Sequence, residues 1–245
     1  MARASGKCIV CGSSPTIKMH VFPRALMLDL RGAEKHLFEG NSERVGVRFS
    51  QNGNWDDTVL CKNHEDICGK GDDYVIQFSR RLTRDAKHTT TGAYTISNPR
   101  PDLLIKFIYA TVWRRVISRD GRYHNLDLGP FRQAIEDHLL AKGPASLPAI
   151  VARANLINAD GEPAGMAIPP YRQRLGNWNV WHFHIGGFDI YLKTDHRPFP
   201  AQFSPFLAND NDMLTLVQID PLRSDRVPIL QPILKQMFTK RPHRL

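Results

Sequence analysis

The sequence predicts an α+β fold, and three features carry that prediction. Two runs of alternating apolar residues flank Gly186-Gly187, two helical runs occupy residues 102–119 and 129–142, and all four cysteines fall within the first 68 of 245 residues. The first two features call for strands and helices in one chain; the third marks a small, loop-rich unit. The expected organisation is a metal-bearing module over residues 1–90 and an α+β part with helices and a β-hairpin over 91–245.

Taken in chain order, Pro23 opens a short helix through ARALMLDLR, VGVRFS has strand character, and DDYVIQFSRRL has helical character. Residues 85–102, DAKHTTTGAYTISNPRPD, are polar and rich in turn formers, so they predict a linker. The run over 102–119, DLLIKFIYATVWRRVISRD, has Asp102 as a cap after Pro101 and apolar residues on most of its surface, with its arginines at the C-terminal end where they suit the dipole. GPFRQAIEDHLLAKG predicts a second helix over 129–142, ended by Gly143 and Pro144. The paired glycines supply the positive φ of a two-residue turn, which predicts a hairpin over 178–194. Trp178, Trp181, Phe183 and Phe188 are expected to pack in its sheet. MLTLVQID is a further strand, and VPILQPILKQMFTK predicts a closing helix over about 227–239, with Pro228 near its start and Pro232 kinking it.

A hydrophobic share of 42% suffices for one large or two small cores and argues against disorder. The excess of 33 basic over 24 acidic residues, a formal charge of +9, is spread along the chain and favours an anionic partner, nucleic acid first. No apolar run is long enough for a membrane span and MARASGK lacks the core of a signal peptide, so a cytoplasmic protein without membrane contact is expected.

Cys8-Ile-Val-Cys11-Gly has knuckle spacing, in which a tight turn aims two thiolates at one ion. Cys61 and His64 repeat that spacing, so Cys8, Cys11, Cys61 and His64 form a tetrahedral set suited to a structural Zn²⁺, with Cys68 competing for the fourth place. The alternative is that Cys61 and Cys68 are buried small residues and His64 a surface residue. His182 and His184 share a strand face and, with Asp189 or Asp195, offer a second set of metal-binding types.

The knuckle, then Met19-His20-Val21-Phe22-Pro23, then LCKNH opening a helix resembles the zinc-knuckle branch of the HNH, or ββα-metal, endonucleases. The resemblance covers about residues 6–80 and extends to uncharacterised bacterial proteins often labelled HNH endonuclease, matched here by Cys61 to Glu65, Asp72 to Tyr74 and Trp113-Arg114. It implies phosphodiester hydrolysis with His20 as general base and a catalytic Mg²⁺ or Mn²⁺. Glu65 would be a carboxylate at that ion, and DNA is favoured over RNA as substrate; Asp72 and Asp73, with Asp73 the choice, supply a second carboxylate if the helix runs through Gly69 and Gly71. Two positions depart from the family: Met19 precedes His20, and Glu65 stands where the motif's last histidine belongs. For the family's central asparagine, Asn54 and Asn63 are imperfectly placed and Asp56 lies nearer the usual distance.

Under this reading Lys18, Arg24 and Arg31 hold the phosphate backbone, and Arg114, Arg115 and Arg119 extend that surface. Two other classes compete: a non-catalytic zinc-containing nucleic-acid-binding protein, and a protein-interaction subunit of a bacterial, phage or phage-defence assembly.

Overall fold

The computed structural model describes residues 6–32, 36–41, 46–85, 93–119, 126–154, 166–209 and 213–218. Secondary structure begins with strand β1 (Ile17–His20), helix α1 (Arg24–Arg31), strands β2 (Leu37–Asn41), β3 (Gly46–Ser50) and β4 (Trp55–Leu60), then helix α2 (Lys62–Asp85). Strand β5 (Ala93–Ser97), helices α3 (Pro101–Ile117) and α4 (Arg132–Leu139), and strands β6 (Ala149–Arg153), β7 (Met166–Leu175), β8 (Trp178–Ile185), β9 (Phe188–Lys193) and β10 (Met213–Gln218) follow. The α+β class is as the patterning predicts, while the expected closing helix over 227–239 lies outside the described residues.

A helix that is apolar on most of its surface must be covered on most of its surface. Accordingly α3 packs against α2, α4, β7 and β9, and Leu104, Phe107, Ile108 and Val112 are each at most 1% exposed. Around it lie two sheets. The small one is the antiparallel pair β1–β4, in which His20 faces Trp55. The large one has eight strands in the order β3-β2-β7-β8-β9-β6-β10-β5, parallel at β2–β7 and at β6–β10.

Period-2 alternation divides the hairpin's side chains between two environments. Phe183 and Phe188 face the helices, with ring centroids 6.2 Å from Phe107 and 5.6 Å from Phe78 respectively. On the other face, Val180 and Tyr191 join Ile150 and Ala152 in a second cluster with Phe199, Phe203 and Leu207. Gly186 and Gly187 turn the hairpin at φ +61° and +79°, the backbone that only glycine enters freely.

Three expectations are corrected. The segment over 85–102 is not all linker, because its residues 93–97 form the edge strand β5, paired antiparallel with β10. The helix expected from DDYVIQFSRRL starts ten residues earlier and runs unbroken through Gly69 and Gly71. Gly71 sits where α2 crosses α3: a Cβ there would lie 2.8 Å from the Phe107 nitrogen, so this glycine permits a close helix contact and does not break the helix. The stop of α4 falls at Ala141, in left-handed conformation at φ +57°, two residues before Gly143. Among the described residues, the larger hydrophobic cluster includes residues from Cys8 to Leu216, and the large sheet takes strands from both sides of residue 90.

Candidate metal centre

Residues 8–13 close a tight turn. The Gly12 N–H donates to the Cys8 carbonyl at 2.8 Å and the Cys8 N–H to the Ser13 carbonyl at 2.9 Å, with the Ile9 N–H docking the turn on Val59 of β4 at 2.9 Å. The chain leaving β4 delivers Cys61, whose carbonyl accepts the N–H groups of His64 and Glu65 at 3.2 and 3.1 Å. Cys61 thereby starts α2 and places His64 in its first turn.

One ligand atom from each of Cys8, Cys11, Cys61 and His64 lies within 4.8 Å of all the others. Cys11 Sγ is 3.8 Å from Cys61 Sγ, and His64 Nδ1 is 3.2 Å from Cys61 Sγ and 3.5 Å from Cys8 Sγ. Metal–sulfur bonds of about 2.3 Å and metal–nitrogen bonds of about 2.0 Å in a tetrahedron require edges of about 3.8 Å between sulfurs and about 3.5 Å between sulfur and nitrogen. The group can therefore hold a metal ion such as zinc. Burial pushes the Cys8 thiol up, but hydrogen bonds from the backbones of Cys61, Cys11 and Val10 bring it down to about 6, which favours the thiolate that a metal takes. Cys68 is not in the group. It is wholly buried beside Arg114, and burial pushes its thiol up to about 11.

A second polar group lies next along α2. Arg114, 1% exposed, donates from Nη2 to Glu65 Oε1 at 3.0 Å and from Nη1 to Asp72 at 2.8 Å. Burial raises the pKa of both carboxyls and the guanidinium opposes that rise, so the three side chains act as one buried ionic group. Glu65 Oε2 is buried with no hydrogen-bond partner. His20, at the end of β1, is half-buried, and burial together with Lys18, Arg114 and Arg24 brings its pKa down to about 4. The imidazole is thus neutral at pH 7, and His20 and Glu65 both lie within the field of Arg114.

Several sequence-predicted site residues are placed elsewhere. Asp73 is exposed, because it is the neighbouring Asp72, seven residues after Glu65, that shares the Glu65 face. Arg114 and Arg115 are 1% and 2% exposed and bonded within the fold, Arg115 through Nε to the Pro170 carbonyl at 3.3 Å, so neither reaches a phosphate backbone. Lys18 and Arg24 are exposed beside His20, with the Lys18 ammonium 4.2 Å from the centre of the Trp55 ring. Arg31 is half-buried and donates to the Gln51 carbonyl at 3.3 Å, and Arg119 is exposed at the end of α3. Asp56 is a brace: it accepts from Thr58 N at 2.8 Å and from Arg119 N at 2.6 Å, joining β4 to the end of α3.

His182 and His184 do share a face, and Asp189 takes both of them. Asp189 Oδ1 is 2.7 Å from His182 Nε2 and 3.3 Å from His184 Nδ1, while the Tyr171 hydroxyl meets His182 Nδ1 at 2.6 Å. Burial would raise the Asp189 carboxyl, but the two imidazoles hold it well below the usual range. Asp195 bonds to Arg197 instead. Comparison of the chain with protein-family models, with curated proteins and with solved structures returned no match.

Arg114 as the partner of Glu65 and Asp72 was not foreseen, although a signal exists: a charged pair near the end of an otherwise all-round apolar helix has to find buried counter-charges.

Proposed function

We propose that this chain is a metal-dependent nucleic-acid endonuclease of divergent HNH type, organised by a structural zinc on Cys8, Cys11, Cys61 and His64. One arrangement carries the reading: β1 ends at His20, its partner β4 leads to Cys61, and the first turn of α2 holds His64 and Glu65, so that Arg114 binds the Glu65 carboxylate and acts electrostatically on the His20 imidazole. His20, neutral at pH 7, has the free lone pair that a general base needs to take a proton from water. Lys18 and Arg24 supply positive charge at the rim, where a phosphate backbone would approach. Glu65 Oε2, the oxygen that Arg114 leaves free, is the donor available to Mg²⁺ or Mn²⁺, which would neutralise charge on the scissile phosphate.

The engagement of Glu65 by Arg114 favours a second reading, in which the same zinc-organised unit binds nucleic acid without cutting it. Incubation of plasmid DNA and of a structured RNA with wild type and His20→Ala, in Mg²⁺ or Mn²⁺ and with zinc quantified in both preparations, separates the two. Cleavage lost in the variant at unchanged zinc content is the expected result. A zinc-loaded wild type that binds either polymer and cuts neither would leave the second reading standing.

A further inference from the structure

The last residue of β9 carries a cation to a cleft away from the metal-binding residues. Lys193 is 3% exposed; its ammonium donates to the Asp195 carbonyl and sits 5.4 Å from the centre of the Phe199 ring. An ammonium has three N–H donors, and the described contacts use one of them. The adjoining carboxylate does not neutralise it fully, because Asp195 Oδ1 accepts from both Arg197 N and Arg197 Nε at 2.8 Å. Two cations facing one anion leave a net positive charge. Beside Lys193 opens a cleft of about 560 Å³, with Phe131, Leu147, Phe199 and Leu207 on its apolar side and Asp195, His196 and Arg197 beside the lysine. That volume is in the range of small-molecule sites, roughly 300–1,000 Å³, and mainly apolar walls with a few convergent polar groups are their usual make-up.

We propose that this cleft binds a small organic anion, a phosphate or carboxylate group on a flat apolar body, with Lys193 Nζ holding the anionic group and Phe131 and Phe199 bordering the body. The chemistry follows from what the site lacks. A buried ammonium with open donors gains most from a charged acceptor, and rings on the walls favour a flat partner over a hydrated one. Burial also lowers the pKa of Lys193, a cost that a bound anion offsets.

Calorimetric titration of the full chain with adenosine 5′-monophosphate and with 1-naphthoate tests the assignment, with adenosine as uncharged control. At least one anion should bind, adenosine more weakly than its monophosphate, and Lys193→Met should weaken binding about tenfold or more, as for loss of a charge-assisted hydrogen bond. Binding of the nucleotide alone would identify a phosphate ligand, and of naphthoate alone a carboxylate. Ala134→Trp, which fills the cleft from α4 and leaves the lysine in place, should abolish binding as well and decides the matter if Lys193→Met fails to fold. Failure of both anions to bind, or unchanged binding in either folded variant, would overturn the proposal.

Discussion

A buried guanidinium is stable only with its counter-charges in place, and Arg114 shows the consequence of removing one side of such a group. Arg114→Met would strand Glu65 and Asp72 together in the interior, at a cost of about 3–5 kcal/mol, read as a lower urea midpoint. Adding Glu65→Gln and Asp72→Asn to Arg114→Met should recover most of that loss, since the stranded charge is then gone. His20 gives a pH dependence of definite sign. Unfolded, the ring binds a proton below about 6.5; folded, only below about 4, so between these values the unfolded state holds more protons and stability falls as pH falls. Relative to His20→Asn, wild type should lose about 2 kcal/mol between pH 7 and pH 4, allowing for partial exposure. At this scale the thiolate and imidazole set could be read from spacing alone, because its ligands come in two close pairs. The carboxylate could not: choosing Asp73 over Asp72 depends on whether the helix continues through two glycines, which spacing does not decide.

Those two glycines also make opposite predictions within one element. A Cβ on Gly69 would meet nothing within 4 Å, so Gly69→Ala should stabilise α2 by roughly 0.5–1 kcal/mol, the ordinary gain of alanine over glycine in a helix. At Gly71 the added carbon would press on the α3 backbone, 2.8 Å from Phe107 N and 3.1 Å from the Leu103 carbonyl, and overpacking of about 1–3 kcal/mol should reverse the sign. Thermal denaturation of the two single variants checks both. Elements with a local signal were legible: the glycine pair of β8–β9 and the apolar surface of α3. Strand β7 was not, since Pro169 and Pro170 cannot donate to a ladder; they fall in the interval Ile168 to Tyr171, where its register with β8 shifts. Strands β2 and β6 are short, and each finds a parallel partner remote in sequence, β7 and β10. No local pattern specifies such pairings.

For the whole molecule, the question is how much of the fold depends on the metal-binding group. Cys11 and Cys61 are 50 positions apart, so an ion held by both closes a long loop. The structure places β2 and β3 of that loop in the large sheet and Phe22, Leu26 and Met27 in the main core, so apolar burial holds them as well. The turn over residues 8–13 gives that core Cys8 and the partly buried Val10, while Ile9 is exposed and docked on Val59 by one backbone hydrogen bond. Chelation at neutral pH should therefore unfold the chain in part: amide exchange should accelerate over residues 6–20 and the first turn of α2, while α3 and the β8–β9 hairpin stay protected. Cys61→Ala should give the same exchange pattern and lose the bound metal, whereas Cys68→Ala, a cavity change outside the ligand set, should keep it, as metal analysis of the two variants would show. Uniform loss of protection on chelation would mean instead that ion and core fold as one cooperative unit, making the metal a condition for the sheet as well as for the turn that carries its ligands.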